Sequence, residues 1–116
     1  MTPRKWDVAW AGLDPARGHE QAGRRPVLVF SNERISALIA LVTILPITTL
    51  KKGRRAYPSE VVLPAGCASL AVESLVLCHQ IRTVAAERLT PPTGQVGERG
   101  LRLAIEKALR LWLDLD

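Results

Sequence analysis

Three short segments of this chain place polar side chains where apolar runs begin or end. The first is RGHEQAGRRPVLVFSN at 17–32, in which a polar, glycine-containing loop ends in two arginines and a proline. The second runs from Pro46 to Thr49, and the third from His79 to Thr83. Because loops and strand ends on a rigid scaffold often carry binding residues, we expect the three segments to form a single polar groove.

Arg25 is the residue of these segments best suited to hold a phosphate. Pro26 fixes its own φ, lacks an N–H and biases Arg25 towards an extended backbone. The apolar residues Val27 to Phe30 then predict a buried strand, since β-branched and aromatic side chains suit a packed, pleated surface. A planar guanidinium held at the mouth of such a strand can donate two hydrogen bonds to phosphoryl oxygens.

The charge of the chain favours an anionic partner. The formal net charge is +5, and nucleic acid is the simplest partner for a basic protein, although the charge alone also fits a basic protein with no such partner. Four cations surround Gly53, and we expect them to form a solvated loop that attracts the phosphate backbone without reading sequence. These cations are Lys51, Lys52, Arg54 and Arg55.

Metal and redox chemistry are not indicated. Cys67 and Cys78 are the two cysteines, neither has the spacing of a zinc site, and His79 beside Cys78 lacks further ligands. We expect no metal and no other cofactor, Cys78 to be a small core residue, and a reducing, cytoplasmic compartment. A disulfide between the cysteines is possible but unsupported.

The N-terminus lacks the apolar region of a signal peptide, and the apolar stretch from Leu38 to Ile47 is too short to span a membrane.

The hydrophobic pattern predicts one domain, residues 1–116, built of short strands and one helix. The loops at 14–25 and 48–58 separate strands, and a short helical turn is expected at 32–37. We place strands at 8–13, 26–31, 40–47 and 60–63, at 75–78 and 81–84 (two strands or one bent strand), and a small edge at 95–96.

From Glu98 onward the apolar residues recur at three- and four-residue steps, which predicts an amphipathic helix. The predicted stripe is Leu101, Ile105, Ala108, Trp112 and Leu115. Glu106 and Arg110 lie four residues apart on the outer face, in the favourable order for a pair, and the last turn should fray. The fold class is therefore mainly β (α+β), with an SH3-like antiparallel β-barrel and a C-terminal α-helix as the simplest closure.

The chain resembles the MazF/PemK (Kid) toxins of toxin–antitoxin systems. Three blocks carry the resemblance, in order along nearly the whole chain: LDPARGHEQAGRRPVLVFSN at 13–32, LPIT at 45–48 and CHQIRTVAAERL at 78–89. The resemblance implies a CcdB/PemK-like barrel and a homodimer. It implies an endoribonuclease that cuts single-stranded RNA within short sequence motifs without metal, and inhibition by a small acidic antitoxin.

The resemblance also assigns the candidate site. Its catalytic arginine falls on Arg25 and its catalytic threonine on Thr48, and Thr83 lies in the matching QIRT element. The candidate RNA-binding residues are Arg17, His19, Glu20, Gln21, Arg24, Thr49, Lys51, Lys52, Gln80 and Arg82. Two roles stay open: Arg82 either contacts RNA or braces the loop through a carboxylate, and either His19 or Glu20 could take a proton.

The reaction that the resemblance implies is attack of a ribose 2′-hydroxyl on the adjacent phosphorus, which leaves a 2′,3′-cyclic phosphate and a 5′-hydroxyl. Charge develops on the phosphoryl oxygens, and Arg25 and Thr48 can donate hydrogen bonds to them. Arginine has too high a pKa, above about 12, to be a good general base, so Arg25 is expected to stabilise the transition state.

The chain departs from the family pattern at two positions. Trp6 stands where glycine is common, and His79 stands where an acidic residue is frequent.

A rival interpretation is a CcdB-type toxin. Such toxins poison DNA gyrase through a C-terminal tryptophan, whereas Trp112 lies on the predicted apolar stripe. A DNA-binding regulator is the other rival, but no helix-turn-helix spacing is visible.

Overall fold

Seven strands and two helices make up the computed structural model, which describes residues 2–116. Short 3₁₀ turns at Cys67–Ser69, Cys78–Gln80 and Ala86–Arg88 connect some of these elements. In chain order the strands and helices are β1 (Asp7–Gly12), β2 (Arg24–Val29), α1 (Glu33–Ile39), β3 (Leu41–Thr49), β4 (Glu60–Leu63), β5 (Ser74–Leu77), β6 (Arg82–Ala85), β7 (Gly94–Gln95) and α2 (Arg99–Trp112).

The strands form one curled antiparallel sheet in the order β4-β5-β3-β2-β1-β7, and β6 pairs with the first half of β3. The long strand β3 joins the two halves, because its residues 41–46 pair with β6 and β2, whereas 47–49 pair with β5. With α2 packed against the sheet, the result is a mostly β half-barrel with a C-terminal helix. The predicted fold class is confirmed.

The strand β3 is buried on both faces, and it divides the core into two clusters. Leu45 and Ile47 pack with α2 in the larger cluster, whereas Val42 and Ile44 pack in the smaller one with strands β1, β2 and β6. A strand that is covered on both sides reads as a continuous apolar run rather than an alternating one, as ILPI does here. This burial makes β3 the rigid support for the residues at its end.

The local elements follow the sequence closely. The Asn32 side chain accepts a hydrogen bond from the Ile35 N–H at 3.1 Å and caps α1, which continues two residues beyond the predicted turn. The segments at 75–78 and 81–84, for which one bent strand was an alternative, form two strands separated by a 3₁₀ turn. Cys78 is fully buried as predicted, burial raises its pKa to about 12, and neither cysteine forms a disulfide.

Helix α2 starts where the sequence predicts. The last turn of the helix differs from the prediction. The Glu98 carboxylate accepts hydrogen bonds from the N–H groups of Gly100 and Leu101, at 2.7 and 3.0 Å, and caps the helix. The predicted stripe is wrong at Trp112 and Leu115, which are 52% and 54% exposed, because the helix ends at Trp112 and the sheet does not reach this turn.

The predicted pair of Glu106 and Arg110 is not formed either. The Arg110 guanidinium instead bonds the carboxylate of Asp116 at 2.7 Å, because the chain turns back on itself after the helix. The Trp112 ring lies 5.9 Å from the His79 ring, edge to face. The exposed end of the helix therefore remains next to the turn that carries His79.

Trp6 adopts the left-handed backbone conformation that usually favours glycine, with a φ of 80°. The residue is 92% buried, and its ring meets the Phe30 ring edge to face at 5.1 Å. The Arg102 guanidinium covers the Trp6 ring at 5.1 Å. The indole therefore fills the space beneath the turn before β1.

Neither helix of the described part of the chain, residues 2–116, has the length and apolar character needed to cross a bilayer.

Candidate active site

The pairing of β2 with β3 brings Arg25 and Thr48 together. Val27 lies opposite Pro46 in this antiparallel register, so two further steps place Arg25 opposite Thr48. The Arg25 Nη1 donates a hydrogen bond to the Thr48 Oγ1 at 3.3 Å, across a sequence separation of 23 residues. The two candidate catalytic groups therefore meet at one point on the sheet.

The Arg25 guanidinium is held in place but not neutralised. Its Nε donates to the backbone oxygen of Ala22 at 2.9 Å, which fixes the plane of the group together with the Thr48 contact. Within residues 2–116, no carboxylate lies at salt-bridge distance from Arg25, and Nη2 donates to no protein acceptor. An oriented cation with free donors is suited to bind an anion.

Arg25 and Thr48 border a cavity of about 310 Å³. Two of the candidate RNA-binding residues, Arg24 and Thr49, also line it, and Trp10 forms part of the wall. Trp10 is 36% exposed and lies opposite Pro26 in the β1–β2 pairing, beside Arg25. An exposed aromatic ring next to a phosphate-binding cation is suited to stack on a nucleobase.

The sequence analysis did not single out Trp10. The alternation of β1 gave no clue, because Trp10 shares a strand face with Val8, which is buried in the larger core cluster. The closeness of Trp10 to Arg25 became visible only with the strand register.

A second cavity, of about 490 Å³, lies beside the first along β3. Pro46 borders it, and Pro46 and Thr48 project from the same face of β3 because they are two residues apart. The candidate RNA-binding residues that line this second cavity are His19, Glu20, Gln21, Gln80 and Arg82, together with His79 and Ile81. The loop at 14–23 and the turn before β6 thus meet next to the Arg25–Thr48 contact.

Gln80 bonds the turn before β6 to the loop at 14–23. Its Nε2 donates to the backbone oxygen of His19 at 3.1 Å, and its Oε1 accepts from the Gln21 N–H at 2.7 Å. Both ends of the Gln80 amide are therefore engaged by the protein. The Oε1 of Gln21 is buried and accepts no hydrogen bond within the described part of the chain.

Arg82 braces the loop, but through a carbonyl and not through a carboxylate. Its Nη1 donates to the backbone oxygen of Leu13 at 3.1 Å, at the start of the loop. The neighbouring Thr83 shares a hydrogen bond with Thr43 across the β3–β6 pair at 2.8 Å. Arg82 thus ties β6 to the end of β1 while lining the second cavity.

The possible proton acceptors lie away from the Arg25–Thr48 contact. The Glu20 carboxylate accepts a hydrogen bond from the Arg17 N–H, and His19 is exposed at the rim of the second cavity. Neither side chain bonds Arg25 or Thr48 in the described residues. Proton transfer by either residue would need RNA bound across both cavities.

Three candidate RNA-binding cations, Arg17, Lys51 and Lys52, are exposed and line neither cavity. The four cations of the predicted solvated loop around Gly53 are exposed, and Arg54 also forms an ion pair with Glu60 at 2.9 Å. Burial acts to raise the pKa of Glu60, but the hydrogen bonds from Arg54 and the Tyr57 N–H outweigh it, and the pKa is lowered. Glu60 is therefore ionised at neutral pH.

Comparison with known proteins gives consistent matches over the whole chain. Residues 4–113 match the model of a family described as PemK-like, MazF-like toxins of type II toxin–antitoxin systems. The endoribonuclease MazF9 of Mycobacterium tuberculosis is 36% identical over 117 residues, which cover 97% of each chain.

Solved structures agree with this match. A crystal structure of MazF from Deinococcus radiodurans superimposes with a TM-score of 0.82 at 29% identity, over 99% of each chain. An endoribonuclease from a mycobacterial species, solved in complex with its cognate antitoxin, shares the fold with a TM-score of 0.78 at 24% identity, over 98% of this chain and 97% of that one.

Proposed function

Since this chain belongs to the family of PemK-like, MazF-like toxins of type II toxin–antitoxin systems, we propose that it is an endoribonuclease that cleaves single-stranded RNA within short sequence motifs, without metal. It acts in the cytoplasm, where RNA is accessible. The observation that supports this function best is the contact of Arg25 with Thr48 at the wall of an open cavity. The rival interpretation as a gyrase-binding toxin is not favoured, because the named relative is an endoribonuclease.

The geometry suits attack of a 2′-hydroxyl on the adjacent phosphorus. Negative charge grows on the phosphoryl oxygens in the transition state, and the free N–H groups of Arg25 can donate to them. Because Thr48 Oγ1 already accepts from Arg25, its own O–H is free to donate to a phosphoryl oxygen. Such donors accelerate the reaction because they bind the transition state more strongly than the ground state.

The two cavities suit the nucleotides on either side of the scissile phosphate. Trp10 offers a stacking surface in the first cavity, and the polar side chains of His19, Glu20 and Arg82 line the second. Proteins recognise unpaired bases by this combination of stacking and edge contacts. His19 and Glu20 are at the rim of the second cavity, where a bound RNA could bring the 2′-hydroxyl within reach of one of them.

We expect the purified protein to cleave a long single-stranded RNA in EDTA and to leave 5′-hydroxyl ends. In-line attack by the 2′-hydroxyl does not require a metal here, because Arg25 and Thr48 supply donors for the phosphoryl oxygens, and His19 or Glu20 can take the proton of the attacking hydroxyl. The measurement is sequencing of the product 5′ ends after ligation methods selective for 5′-hydroxyl or 5′-phosphate. Activity that required a divalent metal, or products with 5′-phosphates, would contradict the mechanism.

The protein is further proposed to form a homodimer that a small acidic antitoxin inhibits, as the antitoxin complex of the mycobacterial relative suggests. The net charge of +5 favours an acidic partner, and exposed Leu111, Trp112 and Leu115 offer apolar contacts. Native mass spectrometry with the product of the neighbouring gene should show a dimer alone and a larger complex in the mixture. A dimer that stays free in the mixture would count against the antitoxin.

A further inference from the structure

The loop at 50–59 has to return along the sheet. Strands β3 and β4 are both antiparallel to β5, so they run in the same direction, and the loop connects the end of one to the start of the other. Thr49 lies opposite Ser74 in β5, and Glu60 lies opposite Leu77. The loop therefore travels back by about 10 Å without any regular secondary structure of its own.

One buried carboxylate holds this loop. The Glu60 side chain is 1% exposed, and its two oxygens accept from Nη1 and Nη2 of Arg54, each at 2.9 Å. The Glu60 Oε1 also accepts from the Tyr57 N–H at 2.9 Å. The Arg54 Nη1 donates in addition to the Arg55 backbone oxygen at 3.2 Å. Glu60 thus fastens both the middle and the end of the loop.

This pair restricts the loop to one arrangement. Release of Arg54 would leave the ionised Glu60 carboxylate buried without its partner, which is strongly unfavourable. Because Glu60 neutralises the Arg54 charge, Arg54 contributes little attraction for RNA. Lys51 and Lys52 form no salt bridge within residues 2–116, and they follow Thr48 within four positions of the chain.

We propose that the bidentate pair of Arg54 and Glu60 positions the loop at 50–59, so that Lys51 and Lys52 meet the RNA backbone next to the scissile phosphate. Arg54 is then a positioning residue that does not itself contact RNA. The inference rests on the proposed function, since it assigns to this loop a part in RNA binding. It differs from general charge attraction, in which every cation of the loop would contribute equally to RNA affinity.

The test compares Arg54→Ala with Arg55→Ala, because each removes one positive charge from neighbouring positions of the same exposed loop. With an RNA oligonucleotide of mapped cleavage site, we expect Arg54→Ala to raise KM about tenfold and Arg55→Ala to change it much less, since a disordered loop must be ordered on binding. The kcat of both variants should stay close to that of the parent. Equal effects of the two substitutions on KM would overturn the proposal.

Arg54→Lys separates geometry from charge. Lysine keeps the positive charge but cannot donate the two parallel hydrogen bonds of the guanidinium. We expect its KM to remain close to that of Arg54→Ala. If Arg54→Lys restored the KM of the parent, charge alone would explain the effect and the positioning role would be wrong.

The double variant Arg54→Ala/Glu60→Gln controls for a folding defect, because it removes the buried charge together with its partner. We expect it to recover thermal stability relative to Arg54→Ala while KM stays high. A KM that recovered with stability would show that the buried charge alone caused the effect. A loss of the dimer in Arg54→Ala would assign the pair to subunit contact, which would also contradict the proposal.

Amide hydrogen exchange of the free protein gives a readout that needs no RNA. Exchange at position 54 and at Tyr57, whose N–H groups are hydrogen-bonded in the parent, should rise in Arg54→Ala and remain unchanged in Arg55→Ala. Unchanged exchange in both variants would overturn the positioning role of the Arg54–Glu60 pair even if the protein cleaves RNA. If instead the parent cleaves no RNA but the exchange changes as expected, the Arg54–Glu60 pair still orders the loop and the proposed function is wrong.

Discussion

Replacement of Arg25 by alanine is expected to reduce the rate of RNA cleavage by about 10²–10³-fold, the usual cost of removing one preorganised donor to a developing oxyanion. The side chain is only partly buried, and its two protein contacts are the Ala22 carbonyl and the Thr48 hydroxyl. Its loss should therefore leave the fold intact. Single-turnover cleavage of an RNA oligonucleotide at saturating protein measures the effect.

Two further variants make this prediction specific. Arg34→Ala is the matched control, because Arg34 is an exposed arginine on α1 that lines neither cavity. It should cleave at the rate of the parent. Thr48→Val keeps the shape of the side chain but removes its hydroxyl, and it should lose activity in the same direction as Arg25→Ala. An active Arg25→Ala variant with a normal circular dichroism spectrum would contradict the assignment.

Trp6→Ala is expected to lower the free energy of unfolding by about 3–5 kcal/mol, the usual cost of removing a buried aromatic side chain. The indole of Trp6 fills the space between Phe30 and Arg102 beneath the turn before β1. Because Trp6 has a φ of 80°, alanine would keep the left-handed backbone and its steric cost while losing the packing. Urea denaturation at fixed protein concentration measures the change.

Trp6→Gly provides the comparison that isolates the backbone. It loses the same packing, but glycine adopts a positive φ without steric cost. We therefore expect Trp6→Gly to be more stable than Trp6→Ala by about 1 kcal/mol, although glycine normally destabilises a folded chain relative to alanine. The opposite order of stability would mean that the turn relaxes to a negative φ once the indole is removed.

Local sequence patterns predicted the strands and the start of α2, since these depend on neighbouring residues. The helical repeat that starts at Glu98 and the apolar run of β3 lie within one element each, and both were visible in the sequence. The exposure of Trp112 was not, because a helical repeat does not show where the partner surface ends. The extension of β3 to Thr49 likewise depends on its pairing with β5.

The candidate site was predictable only in part for the same reason. Arg25 and Thr48 came from the resemblance of the flanking motifs, and the strand register then explains why these two residues meet. The bonds of Gln80 to the loop and the pair of Arg54 with Glu60 depend on tertiary geometry. A run of cations in a sequence does not show which of them pairs with a buried carboxylate, as Arg54 does with Glu60.

The central claim is that Arg25 and Thr48 act on one phosphodiester. Once the cleavage position is mapped, a crystal structure with an RNA that carries 2′-deoxyribose at the scissile nucleotide tests it directly, since the nucleophile is absent and the chain stays intact. We predict the scissile phosphate within about 2.7–3.2 Å of both the Arg25 guanidinium and the Thr48 hydroxyl. A scissile phosphate bound elsewhere, with neither group in contact, would contradict this account.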